Sequence, residues 1–261
     1  MTRVSRRDVL KYALPGAAAV LAGLGTGLGT AVSPPKAAAT GLEVLDFATL
    51  QVPPAQIKAA GYDGAMVYVS ELRPGATFDF KPVTREYTDG LRAEGLHVAS
   101  CYQYGKPGWV ESPSDYTKGY DGGVYDAQTA LRLHAAAGGP DSAPIFFSVD
   151  DDIDADTWNS LAVQWFQGIN SVLGVERTGV YGSNRTCAWA IDDGVIGHST
   201  TPGYRWAWQT RAWSQGQREP AAVLFQREIV TASDPGVIID GISVDVNDVL
   251  APDFGQWGLE R

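Results

Sequence analysis

Ile145-Phe146-Phe147-Ser148-Val149-Asp150-Asp151-Asp152 is a near-continuous apolar run that breaks into three consecutive acids. Five residues are too few for a helix, and a strand apolar on both faces belongs inside a parallel sheet. Upstream, a helix running to about Ala137 stops at Gly138-Gly139-Pro140, a strong terminator. Downstream, Asp154 can cap a helix whose Trp158, Leu161, Trp165, Ile169 and Val172 fall at helical spacing before Gly174 closes it. The local order is helix, buried strand, helix.

The same unit repeats outward in both directions. Towards the N-terminus, strands are expected at Leu42–Phe47, Ala65–Val69 and Leu96–Tyr102. Helices fall between them, over Pro53–Ala60 and from Pro82 to Gly95, where Val83, Tyr87 and Leu91 are spaced at i+4. A long loop from Gly105 to Gly123, rich in Gly, Pro and aromatic residues, has the length of a functional connection. Towards the C-terminus, strands are expected at Thr178–Tyr181, Tyr204–Trp208, Val223–Phe225 and Ile242–Val246, with weak helical patterns between the last of them. Eight strands in βα order predict an α/β chain forming a closed parallel (β/α)₈, TIM-like barrel with degenerate final helices. An open doubly wound sheet is the competitor, but no Gly-rich phosphate loop follows the first strand.

In such a barrel, strand C-termini share the rim on which active sites are built. Asp46 ends the first expected strand, Asp150 and Asp152 the fourth, and Asp245 the last. Alternation along a strand puts Asp150 and Asp152 on one face and Asp151 on the other, while closure brings Asp245 beside Asp46. Four carboxylates are therefore expected to converge. Crowded carboxylates cannot all ionise cheaply, so one retains a proton near neutrality, the condition for general acid catalysis of glycosidic cleavage. Tyr104, Tyr181 and Trp208 are the aromatic wall candidates, since flat rings suit the apolar faces of sugars. Gln209 and Gln226 are candidates for hydroxyl recognition, and Glu71, just after the second strand, is a further acid.

Composition narrows the function classes. The chain has 261 residues and a formal net charge of −10, without a Lys/Arg run, which argues against nucleic acid as a partner. The three histidines, His97, His134 and His198, show no ligand spacing, so no metal and no cofactor is expected, although a hard cation among the carboxylates would need no histidine. No heptad or strongly apolar surface stripe is evident, and a monomer is expected. Ser5-Arg6-Arg7-Asp8-Val9-Leu10-Lys11 is a twin-arginine motif, followed by a glycine-interrupted apolar stretch and Ala37-Ala38-Ala39. Residues 1–39 are therefore read as a signal peptide and residues 40–261 as the barrel domain, exported already folded and without a membrane span once the signal is removed. Folding in a reducing compartment implies that Cys101 and Cys187 are buried thiols.

The layout resembles the family 25 glycoside hydrolases, bacterial lysozymes that cut peptidoglycan. The resemblance is carried by Val44-Leu45-Asp46, Ile57-Lys58-Ala59-Ala60-Gly61-Tyr62, Gly95-Leu96 and Ser148-Val149-Asp150-Asp151-Asp152, and then by Gly179-Val180-Tyr181-Gly182-Ser183, Trp206-Ala207-Trp208-Gln209 and Val244-Asp245-Val246-Asn247. The twin-arginine motif and the Phe146–Asp152 segment are more similar still to actinobacterial glycoside-hydrolase-like domains, known as domain of unknown function 1906. The resemblance implies an exported protein acting on cell-envelope polysaccharide, peptidoglycan foremost. Asp46, Asp150 and Asp245 match three lysozyme acids. Asp152 stands where the lysozymes carry the proton-donating Glu, one methylene shorter. On that pattern Asp152 would be the general acid, Asp150 would tune it and stabilise positive charge at the anomeric carbon, and Asp46 or Asp245 would orient water or a substrate N-acetyl group. The alternative is a glycan-binding module on a hydrolase scaffold that no longer cleaves.

Overall fold

A computed structural model describes residues 40–47, 50–78, 80–231 and 233–258. The expected signal peptide, residues 1–39, lies outside the described residues. The first seven strands follow in the predicted order: β1 (Glu43–Phe47), β2 (Gly64–Tyr68), β3 (His97–Tyr102), β4 (Ile145–Ser148), β5 (Thr178–Gly182), β6 (Arg205–Thr210) and β7 (Ala222–Glu228). Each pairs in parallel with the next. The helices on the outside are α1 (Pro54–Ala59), α2 (Arg85–Ala93), α3 (Gly119–Ala136), α4 (Val163–Leu173) and α5 (Asn184–Asp192). No helix follows β6 or β7 among the described residues, as the weak patterning there predicts.

The capping chemistry is local and legible. Thr84 accepts from the Tyr87 N–H to start α2, and Asp154 accepts from the Thr157 N–H to start the helical segment that leads into α4. That segment passes through one π-helical stretch, Trp158–Ala162, before the regular α4. Trp158, Trp165, Phe146, Phe147 and Phe166 are all fully buried, so the interface between sheet and helices is aromatic at its centre. Cys101 and Cys187 are buried and free, as expected of two structural thiols.

The barrel closes in an unexpected direction. Its eighth wall strand, β9 (Ile242–Val249), runs antiparallel to both β7 and β1. A short strand not foreseen from sequence, β8 (Val237–Ile239), pairs antiparallel with β9 as a hairpin. The expectation of an all-parallel barrel with Asp245 at a strand C-terminus is corrected accordingly. The physical reason is what the connection contains. A parallel return is usually made by a crossover helix, whereas residues 229–241, between β7 and β9, hold the short strand β8 and a tight turn and no helix among the described residues. Asp240 and Gly241, with φ of 50° and 79°, make the two-residue turn that reverses the chain.

Candidate active site

Reversing the last strand preserves the central juxtaposition. Asp46 of β1 lies directly opposite Asp245 of β9, on the same face of the ladder. Two residues further along β9, on its other edge, Asn247 is opposite Gln226 of β7. These four side chains form one network. The Gln226 Nε2 donates to Asp46 Oδ1 and Oδ2 at 3.2 and 3.1 Å and to Asp245 Oδ2 at 3.0 Å. Asn247 Nδ2 donates to Asp46 Oδ2 at 2.7 Å, and the Val230 N–H donates to Asp245 Oδ1 at 2.6 Å. Two aromatic residues then fix the amides. Tyr181 donates its hydroxyl to Gln226 Oε1 at 2.7 Å, and the Trp208 indole N–H donates to Asn247 Oδ1 at 2.6 Å. The Tyr181 and Trp208 rings meet edge to face, 4.5 Å between centroids.

A single amide reaching two carboxylates means that the carboxylates are close, and Asp46 is only 3% exposed. Burial, followed by the nearby Asp46 charge, pushes Asp245 up to about 9. Burial also raises Asp46, against the opposing hydrogen bonds of Asn247 and Gln226, to about 6. At neutral pH the pair therefore holds a proton in common.

The pair lies on the wall of a cavity of about 540 Å³ that Asp150, Tyr181 and Trp208 also line. Asp150 accepts from Gln103 Nε2 at 2.7 Å, and burial raises its pKa while Lys106 and Lys81 pull it down. Three carboxylates, two of them a partly protonated pair, and an aromatic wall thus share one cavity. Such a set can deliver a proton to a leaving oxygen and place an ionised carboxylate near developing positive charge.

Asp152 does not join them. β4 ends at Ser148, so strand alternation no longer governs residues 149–152. Each of the three consecutive acids takes a different direction. Asp150 lines the cavity, Asp151 accepts from the Tyr116 hydroxyl at 3.0 Å, and Asp152, its side chain 45% exposed, pairs with Arg185 at 2.5 Å. The expected four-acid convergence is therefore a three-acid one. Three other candidates also lie outside the cavity lining. Glu71 is exposed and paired with Arg132 at 2.8 Å. Gln209 is buried and staples the loop after β6, donating to the Gln217 carbonyl and accepting from the Glu219 N–H. Tyr104 lies under the Lys118 ammonium, while its backbone N–H donates to Asp115.

The carboxylate network and the cavity include residues not singled out from sequence, Asn247 in the network behind the lining and three cations in the lining itself. Asn247 sits inside a quoted motif without being assigned a role. Arg73, Lys81 and Lys106 bring positive charge into the cavity of an acidic chain. They follow the second and third strands, and three cations in successive rim loops were the available signal. Among the described residues, no group of three or more His, Cys, Asp or Glu side chains is arranged as a metal-ligand set.

Fold and site together define a carboxylate-lined α/β barrel of the glycoside-hydrolase type. The family model of the Rv2525c-like, glycoside hydrolase-like domain matches residues 55–249, and the chain belongs to that family. It is 40% identical over 258 residues to the Mycobacterium tuberculosis protein named "Putative peptidoglycan hydrolase Rv2525c", covering 97% of this chain and 99% of that one. The crystal structure of the M. tuberculosis Tat-secreted protein Rv2525c in complex with L-tartrate superposes with a TM-score of 0.73, covering 83% of this chain and 98% of that one at 40% identity. The modular autolysin LytC from Streptococcus pneumoniae, in complex with a synthetic peptidoglycan ligand, shares the fold at a TM-score of 0.50 and 15% identity, over 79% of this chain and 46% of LytC.

Proposed function

We propose that the protein is an exported glycoside hydrolase that cleaves a glycosidic bond in cell-envelope polysaccharide, with peptidoglycan as its first candidate substrate. The observation that carries this reading is the convergence of Asp46 and Asp245, bridged by the Gln226 amide, on the cavity that Asp150 also lines, where burial raises both carboxyls of the pair. In this reading the pair is the acid that protonates the leaving oxygen. Asp150, steadied by Gln103, is the ionised carboxylate that stabilises positive charge at the anomeric carbon or positions the attacking group. Gln226 and Asn247 hold the pair in register, and Tyr181 and Trp208 form the wall on which a sugar face rests.

Relatives support the substrate class, since Rv2525c carries the name of a peptidoglycan hydrolase and is secreted by the twin-arginine route. The twin-arginine motif at Arg6-Arg7 supports export of this chain by the same route. No helix among the described residues is long and apolar enough to cross a membrane. One observation favours the binding-module reading: Asp152, at the position of the lysozyme proton donor, is turned out to Arg185. The two readings separate on product. Incubation with purified peptidoglycan, borohydride reduction and mass spectrometry should show newly reduced muramic acid or glucosamine termini. Recovery of unchanged glycan that nevertheless co-sediments with the protein would establish the binding module instead.

A further inference from the structure

Arg73, in the loop after β2, is held in an unusual way. It is 8% exposed, and its guanidinium carbon lies 5.0 Å from the Phe78 ring centroid and 5.1 Å from that of Trp109. Both rings are themselves pinned. Phe78 stacks on Phe80 at 4.7 Å, and the Trp109 indole donates to the Pro74 carbonyl at 3.2 Å. No described residue accepts a hydrogen bond from Arg73, and its Nε is buried without a partner. A guanidinium offers five donors in a rigid fork, and burying one of them without an acceptor is costly. Ring faces here fix the position of the fork, while its Nε–H points to no acceptor among the described residues.

The described acids nearby do not supply the acceptor. Asp150 is engaged by Gln103, and Asp115 by Lys118 at 2.7 Å and by the Tyr104 and Gly105 N–H groups. Arg73 lines the same cavity as Asp46, Asp150 and Asp245, together with Lys106. The shared proton on the Asp46–Asp245 pair leaves these cations incompletely neutralised at neutral pH.

We infer that Arg73, assisted by Lys106, forms a carboxylate-binding subsite in the hydrolase cavity, so that the glycan it takes carries a free carboxylate on a sugar or on an ether substituent, as muramic acid does where no stem peptide is amide-linked to its lactyl group. The inference rests on the glycan reading above. A planar carboxylate matches the guanidinium fork in two parallel hydrogen bonds. A singly charged group also suits a cavity already holding carboxylates better than a doubly charged phosphate.

The test is calorimetric titration of the purified protein with N-acetylmuramic acid, whose lactyl group is a free carboxylate, and with its methyl ester. Wild type should bind the acid about tenfold more tightly than the ester. Arg73→Gln should bring the two affinities together while leaving that of the ester unchanged, and Arg73→Lys should retain part of the preference. If Arg73→Gln fails to match the wild-type thermal transition, Lys106→Gln at the exposed position supplies the second variant, with a smaller loss of preference expected. Equal binding of acid and ester by wild type overturns the subsite and leaves the glycan reading standing. Binding of neither overturns both. Acid preference that persists in a protein releasing no product would retain the subsite and remove only the catalytic claim.

Discussion

Asp245 stays protonated well above the ordinary carboxylate value of 3.8 because it is buried opposite Asp46. The consequence for stability has a definite sign. The unfolded chain releases this proton near 3.8, while the folded chain keeps it to about 9, so between those values the folded state binds more protons. Stability should therefore fall as pH rises across that window, Asp46 adding to the slope only up to about 6. Thermal unfolding between pH 6 and 9 should show a falling Tm for wild type and a flatter curve for Asp245→Asn; a flat wild-type curve would contradict the assignment. Much of this was legible in the sequence. Asp46 and Asp245 stood one barrel closure apart, whereas Gln226 was read only as a hydroxyl-recognising amide and Asn247 had no assigned role, because a side-chain bridge across strands leaves no local pattern. Asp152 was misplaced because alternation was extended past Ser148, beyond the point where a strand imposes it.

At the scale of elements, β1 to β7 were legible because each is a short apolar run bounded by turn or cap chemistry. The reversal of β9 was written in Asp240-Gly241, a hairpin dipeptide between two apolar runs, but the βα repeat was followed through it. Packing of α3 against the helix containing Gly168 was not legible at all, because it depends on backbone approach. A Cβ on Gly168 would sit 2.0 Å from the Tyr120 carbonyl oxygen, and one on Gly123 would sit 2.0 Å from that of Trp165. Each glycine thus lets the opposing helix backbone into contact. Gly168→Ala should cost roughly 1–3 kcal/mol or more through overpacking. Denaturant titration would measure this as a lowered midpoint with an unchanged slope, and an unchanged midpoint would mean that the helices separate freely.

On the scale of the whole molecule, a chain of net charge −10 gathers cations around its acid centre. Overall composition showed the acidity and hid that local inversion, because the cations arrive from separate loops. No apolar stripe emerged from the sequence, and the exposed large apolar side chains, such as Leu50, Val110, Tyr125 and Ile238, are spread along the chain. Sedimentation equilibrium at micromolar concentration should accordingly give the mass of one chain, and a concentration-dependent rise would reveal an unrecognised interface. The central claim is that cleavage belongs to the three carboxylates of the cavity and that Asp152 is not the proton donor. The direct measurement is the rate of reducing-end release from peptidoglycan by wild type, Asp245→Asn and Asp152→Asn at neutral pH. Loss of about 100-fold or more in Asp245→Asn, with Asp152→Asn within a few-fold of wild type, is the predicted result. Abolition by Asp152→Asn with Asp245→Asn still active would contradict it.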